Sequence, residues 1–231
     1  MKEEKLRRLR SRQKPTLLEF CQRTLAFDLD SWQSDHLIPQ LERLHTERGL
    51  RMLIHGPQQL GKSIIVSRRF PAWAMGMDPK RRLILSGFGI THATDSFGEP
   101  TRNLMQSELY AEMFPDPGTR IPTVCSAESF TTAARHKLND GQASVTCLGI
   151  STAWIGKGLA PGDILIVDDP YASAEDARSI AINDRTWRWW TQDVKDRIHP
   201  EANVVIMFHR YHQADLAGRL MEKDGYTTLG R

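Results

Sequence analysis

A glycine-containing loop between a predicted strand and a predicted helix constrains the fold of this chain more than any other feature. Residues 56–63 match the phosphate-binding pattern G-x-x-x-x-G-K-[ST] at every fixed position. The apolar run at 50–55 predicts a buried strand before the loop, and the apolar spacing from Ile64 to Ala74 predicts a helix after it. A phosphate-binding loop requires this context, because its backbone N–H groups and the helix N-terminus must face the phosphates.

The loop pattern also predicts roles for individual residues. We expect Lys62 to reach the β- and γ-phosphates of a nucleotide and the Ser63 hydroxyl to ligate Mg²⁺. The alternative is a glycine turn that only joins two packed elements. The predicted nucleotide-binding residues of the loop are Gly56, Pro57, Gln58, Gln59, Leu60, Gly61, Lys62 and Ser63.

Beyond the loop, predicted strands and helices alternate along the chain. The predicted strands are 51–55, 82–87, 143–149, 163–168 and 203–208. The predicted helices are 16–25, 31–47, 62–76, 90–113, 174–197 and 213–223, and Asp30 and Ser31 are candidate caps of the second. We expect a small antiparallel addition within 124–149. Continuous apolar strands separated by helices predict a three-layer α/β fold of the phosphate-loop NTPase type. Its central sheet would be mostly parallel and flanked by helices, with a ligand at the carboxyl ends of the strands.

The positive charge of the chain is concentrated at its N-terminus. The net charge is +3, whereas residues 1–14 hold seven Lys or Arg and two Glu. We expect residues 1–15 to be a basic arm that either binds nucleic acid or is a solvated tail. Residues 16–231 are expected to form one nucleotide-binding domain.

The composition argues against several other classes of protein. No run of apolar residues is long enough to predict a transmembrane helix, and the N-terminus lacks the apolar segment of a secretory signal. Cys21, Cys125 and Cys147 are odd in number and far apart. This pattern disfavours a disulfide framework and a metal-ligand cluster, and it indicates a reducing, cytosolic setting with cysteines as small core residues.

An acidic strand end is expected to complete the nucleotide site. The apolar residues 164–167 lead to Asp168 and Asp169. We expect Asp168 to hold Mg²⁺ and Asp169 to orient and deprotonate the attacking water. Two adjacent carboxylates beside a triphosphate repel it unless a cation lies between them, so nucleotide binding without metal should be weak. The alternative is a buried strand that ends in an Asp-Asp-Pro turn.

Polar residues also follow the last predicted strand. His209, Arg210 and His212 come directly after 203–208 and are expected to lie beside the γ-phosphate, where they would sense hydrolysis. Their spacing lacks the third ligand that a zinc site would need.

Two further groups each allow two interpretations. Gln33 is expected to read adenine through its amide, unless it is only an exposed helical glutamine. Trp187, Trp189 and Trp190 favour core and interface packing over a base-stacking platform.

Four stretches of the chain carry a resemblance to a known family. The first is 53–63, followed by Phe-Pro-Ala-Trp at 70–73, and the second is 84–87 with the long predicted helix after it. The third is 149–170, which contains several glycines and ends in Ile-Val-Asp-Asp-Pro, and the fourth is 207–220. Together they resemble the ATPase half of a phage terminase large subunit, the DNA-packaging motor protein. The stretch 207–220 is similar to the family's coupling motif, usually Thr-Arg-Trp-His followed by Asp-Leu-x-Gly, and is the most family-specific. The resemblance runs from about Trp32 to Gly225.

The resemblance implies an Mg²⁺-dependent ATPase motor domain that drives double-stranded DNA into a procapsid. ATP and Mg²⁺ are the implied cofactors, and the implied partners are DNA, the portal protein and the small terminase subunit. It further implies a homo-oligomeric ring when docked, a monomer in isolation, and the host cytoplasm as location. Family members usually continue into a ribonuclease-H-type nuclease domain. No strand set with spaced acidic residues follows here, so we expect no DNA cleavage from this chain.

The sequence departs from the family pattern at three positions. Gln59 stands where many relatives carry an arginine, so a charge that stabilises the transferring phosphoryl group is missing in cis and is expected from a neighbouring subunit. Asp169 stands where many relatives have Glu, and His209 replaces the coupling threonine. The candidates for a finger residue, meaning a basic side chain that a neighbouring subunit inserts to supply this charge in trans, are Lys157, Arg102 and Arg135.

Two other functions remain open from the sequence. A helicase or recombination-type ATPase would require nucleic-acid motifs and a second motor domain, and neither is visible. A nucleotide-binding assembly protein that does not hydrolyse is compatible with the short Asp169 side chain and with Gln59.

Overall fold

The computed structural model describes residues 14–122, 126–150, 152, 154, 156–223 and 226–230. Most of the predicted basic arm and Cys125 therefore lie outside the described residues. The last basic residue of the arm, Lys14, donates from its ammonium to the carbonyls of Gly76 (3.0 Å) and Met77 (2.6 Å). Because a cation is favourable at a helix C-terminus, this end of the arm is tied to the domain.

A mostly parallel sheet forms the centre of the molecule. Its strands are β1 (Arg51–His55), β2 (Leu83–Gly87), β3 (Ser129–Phe130), β4 (Val145–Gly149), β5 (Ile164–Asp168), β6 (Asn203–Phe208) and β7 (Thr227–Gly230). They are arranged in the order β3-β4-β2-β5-β6-β1-β7, and every pair is parallel except β3–β4. The five predicted strands are confirmed to within two residues, while β3 and β7 were not predicted. Among the described strands only β3 is antiparallel, so the antiparallel addition predicted within 124–149 is seen there as one short edge strand.

The helices cover both faces of this sheet. They are α1 (Leu17–Thr24), α2 (Gln33–Leu37 and Ile38–Thr46), α3 (Lys62–Ile64, Ile65–Arg69 and Phe70–Met77), α4 (Ile90–Ala93, Thr94–Gly98 and Glu99–Met105), α5 (Glu108–Met113), α6 (Ala133–His136), α7 (Ala174–Arg178), α8 (Ile180–Arg188 and Trp189–Val194, then the 3₁₀ turn Lys195–Arg197) and α9 (Leu216–Lys223). The two longest predicted helices are each divided, because serine caps interrupt them. Ser107 accepts from the Tyr110 N–H (3.1 Å) and starts α5, and Ser179 accepts from the Ile182 N–H (3.5 Å) and starts α8.

The start of α2 corrects one predicted cap. Asp30 is the capping residue and Ser31 is not: the Asp30 carboxylate accepts from the Gln33 N–H (2.9 Å), and the Gln33 side-chain oxygen accepts from the Asp30 N–H (2.9 Å). Because the helical residues Ser31 and Trp32 precede Gln33, this reciprocal pair is a capping box with glutamine at the third helical position.

Side chains alternate between the two faces of the sheet and create two apolar layers. On one face, residues such as Ile54, Leu85 and Ile166 pack with α1 to α4. On the other face, residues such as Leu53 and Leu165 pack with α8 and α9. The chain is therefore α/β with helices on both sides of one sheet, as the continuous apolar strands predicted.

Several predicted core residues are buried in these layers. Trp189 and Trp190 lie in the layer with α8, which confirms that they are packing residues, and Trp187 is partly buried beside them. Cys21 and Cys147 are buried on the opposite face, and burial raises the pKa of each thiol to about 12. Within the described part of the chain, no helix is both long and apolar enough to cross a membrane.

The strand order determines which loops can meet. In a parallel sheet the carboxyl ends lie along one edge. β6 separates β1 from β5, so the loop after β1 and the acidic end of β5 are about 10 Å apart across the sheet. The segments that follow β6 and β2 lie beside the end of β5, one on each side.

Candidate functional site

The glycine loop after β1 has a backbone that only certain residues tolerate. Gln59 and Gly61 both have positive φ, at 63° and 65°. A Cβ atom on Gly61 would lie 2.7 Å from the ring of Phe27, which packs against the loop and is 38% exposed. Gly61 is therefore required both by its left-handed backbone and by the close approach of an aromatic ring.

Lys62 extends back over the loop from the first turn of α3. Its ammonium donates to the carbonyls of Gly56 (3.0 Å) and Pro57 (2.5 Å), and the residue is only 5% exposed. Burial lowers the pKa of Lys62, and the carboxylates of Asp169 and Asp168 oppose this effect. The buried cation is thus held between the loop carbonyls and the acidic end of β5.

Two hydroxyl groups of α3 converge on Asp168. Ser67 donates to one carboxylate oxygen at 2.5 Å, and Ser63 lies 3.4 Å from the other. Asp168 is 1% exposed, and burial, reinforced by the charge of Asp169, raises its pKa to about 7. The hydrogen bonds from Ser67 and Ser63 and the charge of Lys62 act in the opposite direction.

The donor set at this point fits a small hard cation. Mg²⁺ prefers oxygen ligands, and in nucleotide sites it uses one or two carboxylates together with water and substrate phosphates. Ser63 and Asp168 supply a hydroxyl and a carboxylate oxygen 3.4 Å apart. Among the described residues there is no cluster of three or more His, Cys, Asp or Glu that would hold a metal without a substrate.

Asp169 has a different environment from its neighbour. It has a positive φ of 46°, so the chain turns sharply at the end of β5, and its side chain is 34% exposed. The Asp169 N–H still donates to the Met207 carbonyl (3.0 Å) of β6. Burial raises the pKa of the Asp169 carboxyl, while His209 and Lys62 oppose the rise. A non-glycine residue with positive φ at a strand end marks Asp169 as a candidate functional position.

The segment after β6 contacts both halves of the site. His209 Nε2 lies 3.8 Å from the Asp169 carboxylate, and Nδ1 of the same ring lies 3.2 Å from the Gly56 carbonyl. Tyr211 adds a second link, because its hydroxyl accepts from the Gln58 amide at 3.3 Å. One short segment therefore joins the glycine loop to the acidic strand end.

Arg210 and His212 make their contacts on the other side of this segment. The Arg210 guanidinium lies 3.9 Å from the sulfur of Met221 in α9, and His212 Nδ1 accepts from the Ala214 N–H at 3.1 Å. Both belong to the turn that leads into α9. Of the three predicted coupling residues, the structure brings His209 to the loop.

Gln33 supports the loop from α2. Its amide donates to the Leu60 carbonyl at 2.6 Å, and its oxygen is used in the capping box with Asp30. The residue is 4% exposed, so the interpretation as an exposed glutamine is wrong. Reading adenine stays a prediction, and it would require the amide to exchange or share these two bonds.

The three candidate fingers differ in how their charges are used. Arg135 is 6% exposed, pairs with Asp140 (2.6 Å) and donates to the carbonyls of Lys80 and Gln142, which is a structural role. Arg102 lies 3.5 Å from Glu99. The backbone N–H of Lys157 donates to the Trp154 carbonyl (3.0 Å), while its ammonium makes no hydrogen bond or ion pair to the described residues and lines a polar cavity of about 340 Å³ with Arg135.

The position of this cavity bears on the trans prediction. Its lining includes residues of β3 and β4, and four strand steps separate β4 from β1, about 19 Å across the sheet. Lys157 is therefore remote from the loop of its own chain. Its action on a neighbouring subunit stays a prediction.

Three residues near the site were not predicted. Ser67 lies one helical turn after Ser63, and this i, i+4 spacing is a signal that the sequence contains. Phe27 packs against Gly61, and the charge of Asp169 opposes the lowering of the His92 pKa that burial causes; no spacing rule in the sequence indicates either relation.

No protein-family model matches this chain, and no curated protein sequence matches it significantly.

Proposed function

We propose that this chain is an Mg²⁺-dependent ATPase of the phosphate-loop type and the motor domain of a viral terminase large subunit. The observation that carries the ATPase proposal is the convergence of Ser63, Ser67 and Asp168. A hydroxyl at the start of the helix after the glycine loop meets the carboxylate of a strand two positions away. This is the arrangement that a nucleotide-bound cation requires.

Each residue of the site has a role in the proposed reaction. Lys62 and the loop N–H groups bind the phosphates, for which Lys62 exchanges its contacts with the Gly56 and Pro57 carbonyls. Ser63 and Asp168 hold Mg²⁺, which when bound neutralises charge on the phosphate oxygens. Asp169, whose raised pKa makes it a stronger base than an exposed carboxylate, accepts the proton of the attacking water.

The link to mechanical work is proposed from the contacts around α9. His209 contacts Asp169 and Gly56, and it lies in the segment that continues into α9. A second connection runs from Asp169 through Pro170 to Tyr171, whose hydroxyl accepts from the Leu216 N–H (2.8 Å) at the start of α9. A change at Asp169 on hydrolysis would reach α9 by both routes.

The terminase assignment rests on the resemblance of the four stretches, and above all on 207–220. From this resemblance, the proposed partners are double-stranded DNA, a portal protein, a small terminase subunit and further copies of the same subunit in a ring. The proposed setting is the host cytoplasm. Nuclease activity is not proposed for this chain.

Steady-state ATP hydrolysis over a range of protein concentrations tests the proposal. We expect wild type to hydrolyse ATP, Lys62→Ala to lose about 10²- to 10³-fold in rate, and Lys157→Ala to alter only the dependence on protein concentration. Strand displacement from a forked duplex would favour a helicase instead. A wild-type rate equal to that of Lys62→Ala would favour a nucleotide-binding protein without turnover.

A further inference from the structure

The polar cavity of about 340 Å³ lies at the β3 edge of the sheet, and three hydroxyl groups line one of its walls. Ser129 and Thr146 are direct partners in the antiparallel β3–β4 pair, and Thr131 follows Ser129 at the two-residue spacing of one sheet face. Their neighbours Phe130 and Val145 are buried in the layer on the opposite face. The three hydroxyl side chains therefore point away from that layer and into the cavity.

The turn after α6 forms a second wall, and Arg135 holds it in place. The guanidinium donates to the Gln142 carbonyl (3.1 Å) and to the Lys80 carbonyl, and it pairs with Asp140 (2.6 Å). The other oxygen of Asp140 accepts from the Gln142 N–H at 3.0 Å. The one acidic side chain among the described lining residues is therefore neutralised, and this wall is fixed before any ligand binds.

Lys157 gives the cavity its net charge. The backbone of this residue is anchored, because its N–H donates to the Trp154 carbonyl (3.0 Å) and Arg82 donates to the carbonyl of the following residue (2.7 Å). The ammonium, in contrast, makes no hydrogen bond or ion pair to the described residues. Since the charges of Arg135 and Asp140 cancel, Lys157 leaves the cavity with a net positive charge.

We propose that this cavity binds a phosphate group through the Lys157 ammonium and the hydroxyls of Ser129, Thr131 and Thr146. A phosphate presents several strong acceptor oxygens, which match one cation and a set of hydroxyl donors. Among the described residues these three hydroxyls have no hydrogen-bond partner, so their donors are available to a ligand. The inference does not depend on the proposed ATPase activity.

The size of the cavity indicates that the phosphate belongs to a larger molecule. Its volume of about 340 Å³ is at the lower end of the range for small-molecule sites, which is roughly 300–1,000 Å³. A sugar phosphate and a segment of nucleic-acid backbone both present the required oxygens. The two sources share one recognition chemistry and are separated by experiment.

Phosphate titrations followed in ¹⁵N–¹H amide spectra observe the cavity separately from the glycine loop. Sodium phosphate is added at constant ionic strength, and the signals of Gly141 and Thr146 report on the cavity while that of Gly61 reports on the loop. We expect saturable shifts at the cavity. Lys157→Met should weaken this binding by at least about tenfold, because a charge-assisted contact is lost, whereas Lys157→Arg should stay within about threefold of wild type.

Two further variants separate a built site from a general effect of charge. Lys137→Met removes an exposed lysine next to α6 that does not line the cavity, and it should bind phosphate like wild type. Thr146→Val keeps the shape of the side chain without the hydroxyl and should weaken binding by about threefold or more. Equal losses in Lys157→Met and Lys137→Met would overturn the proposal.

Ribose 5-phosphate and a short DNA duplex distinguish the two sources. If the ligand is a nucleic-acid backbone, Lys157→Met should reduce the slope of log K for duplex binding against log salt by about one. If the ligand is a sugar phosphate, duplex binding should be unchanged, and ribose 5-phosphate should shift the Gly141 signal in wild type but not in Lys157→Met. Cavity signals that respond to none of the three probes, or respond equally in Lys157→Met, would overturn the proposal.

Discussion

The glycine loop takes its shape from the positive φ angles of its own residues Gln59 and Gly61, whereas the acidic end of β5 takes its polar neighbours from other segments of the chain. Ser63 and Ser67 reach Asp168 from α3, and His209 reaches Asp169 from the segment after β6. The loop is built by local backbone geometry, and the acidic end is built by packing.

This difference has a consequence for the two adjacent carboxylates. Asp168 is enclosed by hydroxyl groups and almost fully buried, whereas Asp169 is partly exposed and lies beside the imidazole ring of His209. Two residues next to each other in sequence can therefore take separate roles, one as metal ligand and one as base, because tertiary neighbours set their environments.

The largest expected effect comes from removing the base while keeping the shape of the site. Asp169→Asn should lower kcat by about 10²- to 10⁴-fold and leave ATP affinity within a few-fold, because the amide cannot accept the proton. Single-turnover hydrolysis and binding of a fluorescent nucleotide measure the two quantities. Asp193→Asn, an exposed aspartate of α8, is the control. A large loss of affinity in Asp169→Asn would indicate a ligand instead of a base.

Alanine variants of the two serines of α3 should differ in effect, one on folding stability and the other on Mg²⁺ binding. Ser67→Ala leaves the buried Asp168 without its short hydrogen bond and should destabilise the protein by about 1.5–3 kcal/mol. Ser63→Ala should change stability little, because its contact is long and partly exposed, but should raise the Mg²⁺ concentration needed for turnover. Urea unfolding and Mg²⁺ titrations test both variants. If Ser63→Ala lowered the free energy of unfolding in urea more than Ser67→Ala does, the Ser67 contact would be unimportant for stability.

Alanine substitutions at two glycines with similar φ angles test how much the contact of Phe27 with the loop contributes to stability. Gly61 and Gly141 have φ near +65° and +70°, but no atom lies within 4 Å of a Cβ on Gly141. Gly141→Ala should cost about 1–2 kcal/mol from backbone strain alone. Gly61→Ala should cost about 2–4 kcal/mol because the Phe27 ring must also move. Equal unfolding free energies for the two variants would mean that the ring adds nothing.

The smallest effect is a gain of stability at the acidic end. The pKa of Asp168 is raised to about 7 in the folded state, so its favourable contribution is complete below the unfolded value near 3.8 and is lost as pH rises through 7. Asp168→Asn has no carboxyl to ionise, so it avoids this loss of stability at high pH. Its unfolding temperature at pH 8 without metal should be a few degrees above that of wild type. Thermal unfolding at pH 5 and pH 8 tests this. A difference between the two proteins that does not grow with pH would refute the raised pKa.

The sequence predicted the parts of this molecule that depend on local pattern. The five long strands have continuous apolar residues, and Lys62 and Ser63 follow from the loop pattern, so their positions could be read directly. β3 and β7 were missed because two or four residues of an edge strand carry too little periodicity. The helix breaks at Ser107 and Ser179 were missed because a capping serine is also tolerated inside a helix.

The contacts of the acidic end could not be predicted from the chain. Nothing in the spacing of Phe27 indicates that it packs against Gly61, since only the tertiary fold brings the ring there. The predicted adenine contact of Gln33 did not anticipate that its amide already joins Asp30 to Leu60. Local pattern locates the site, while tertiary packing determines the environment of its charged groups.

The affinity for ATP with and without Mg²⁺ tests the central claim most directly. Lys62, Asp168 and Asp169 should make a site that binds the Mg²⁺ complex of a non-hydrolysable ATP analogue at least about tenfold more tightly than the metal-free analogue, because the two carboxylates repel phosphate. The preference should disappear in Asp168→Asn. Equal affinity of wild type in Mg²⁺ and in EDTA would contradict the account.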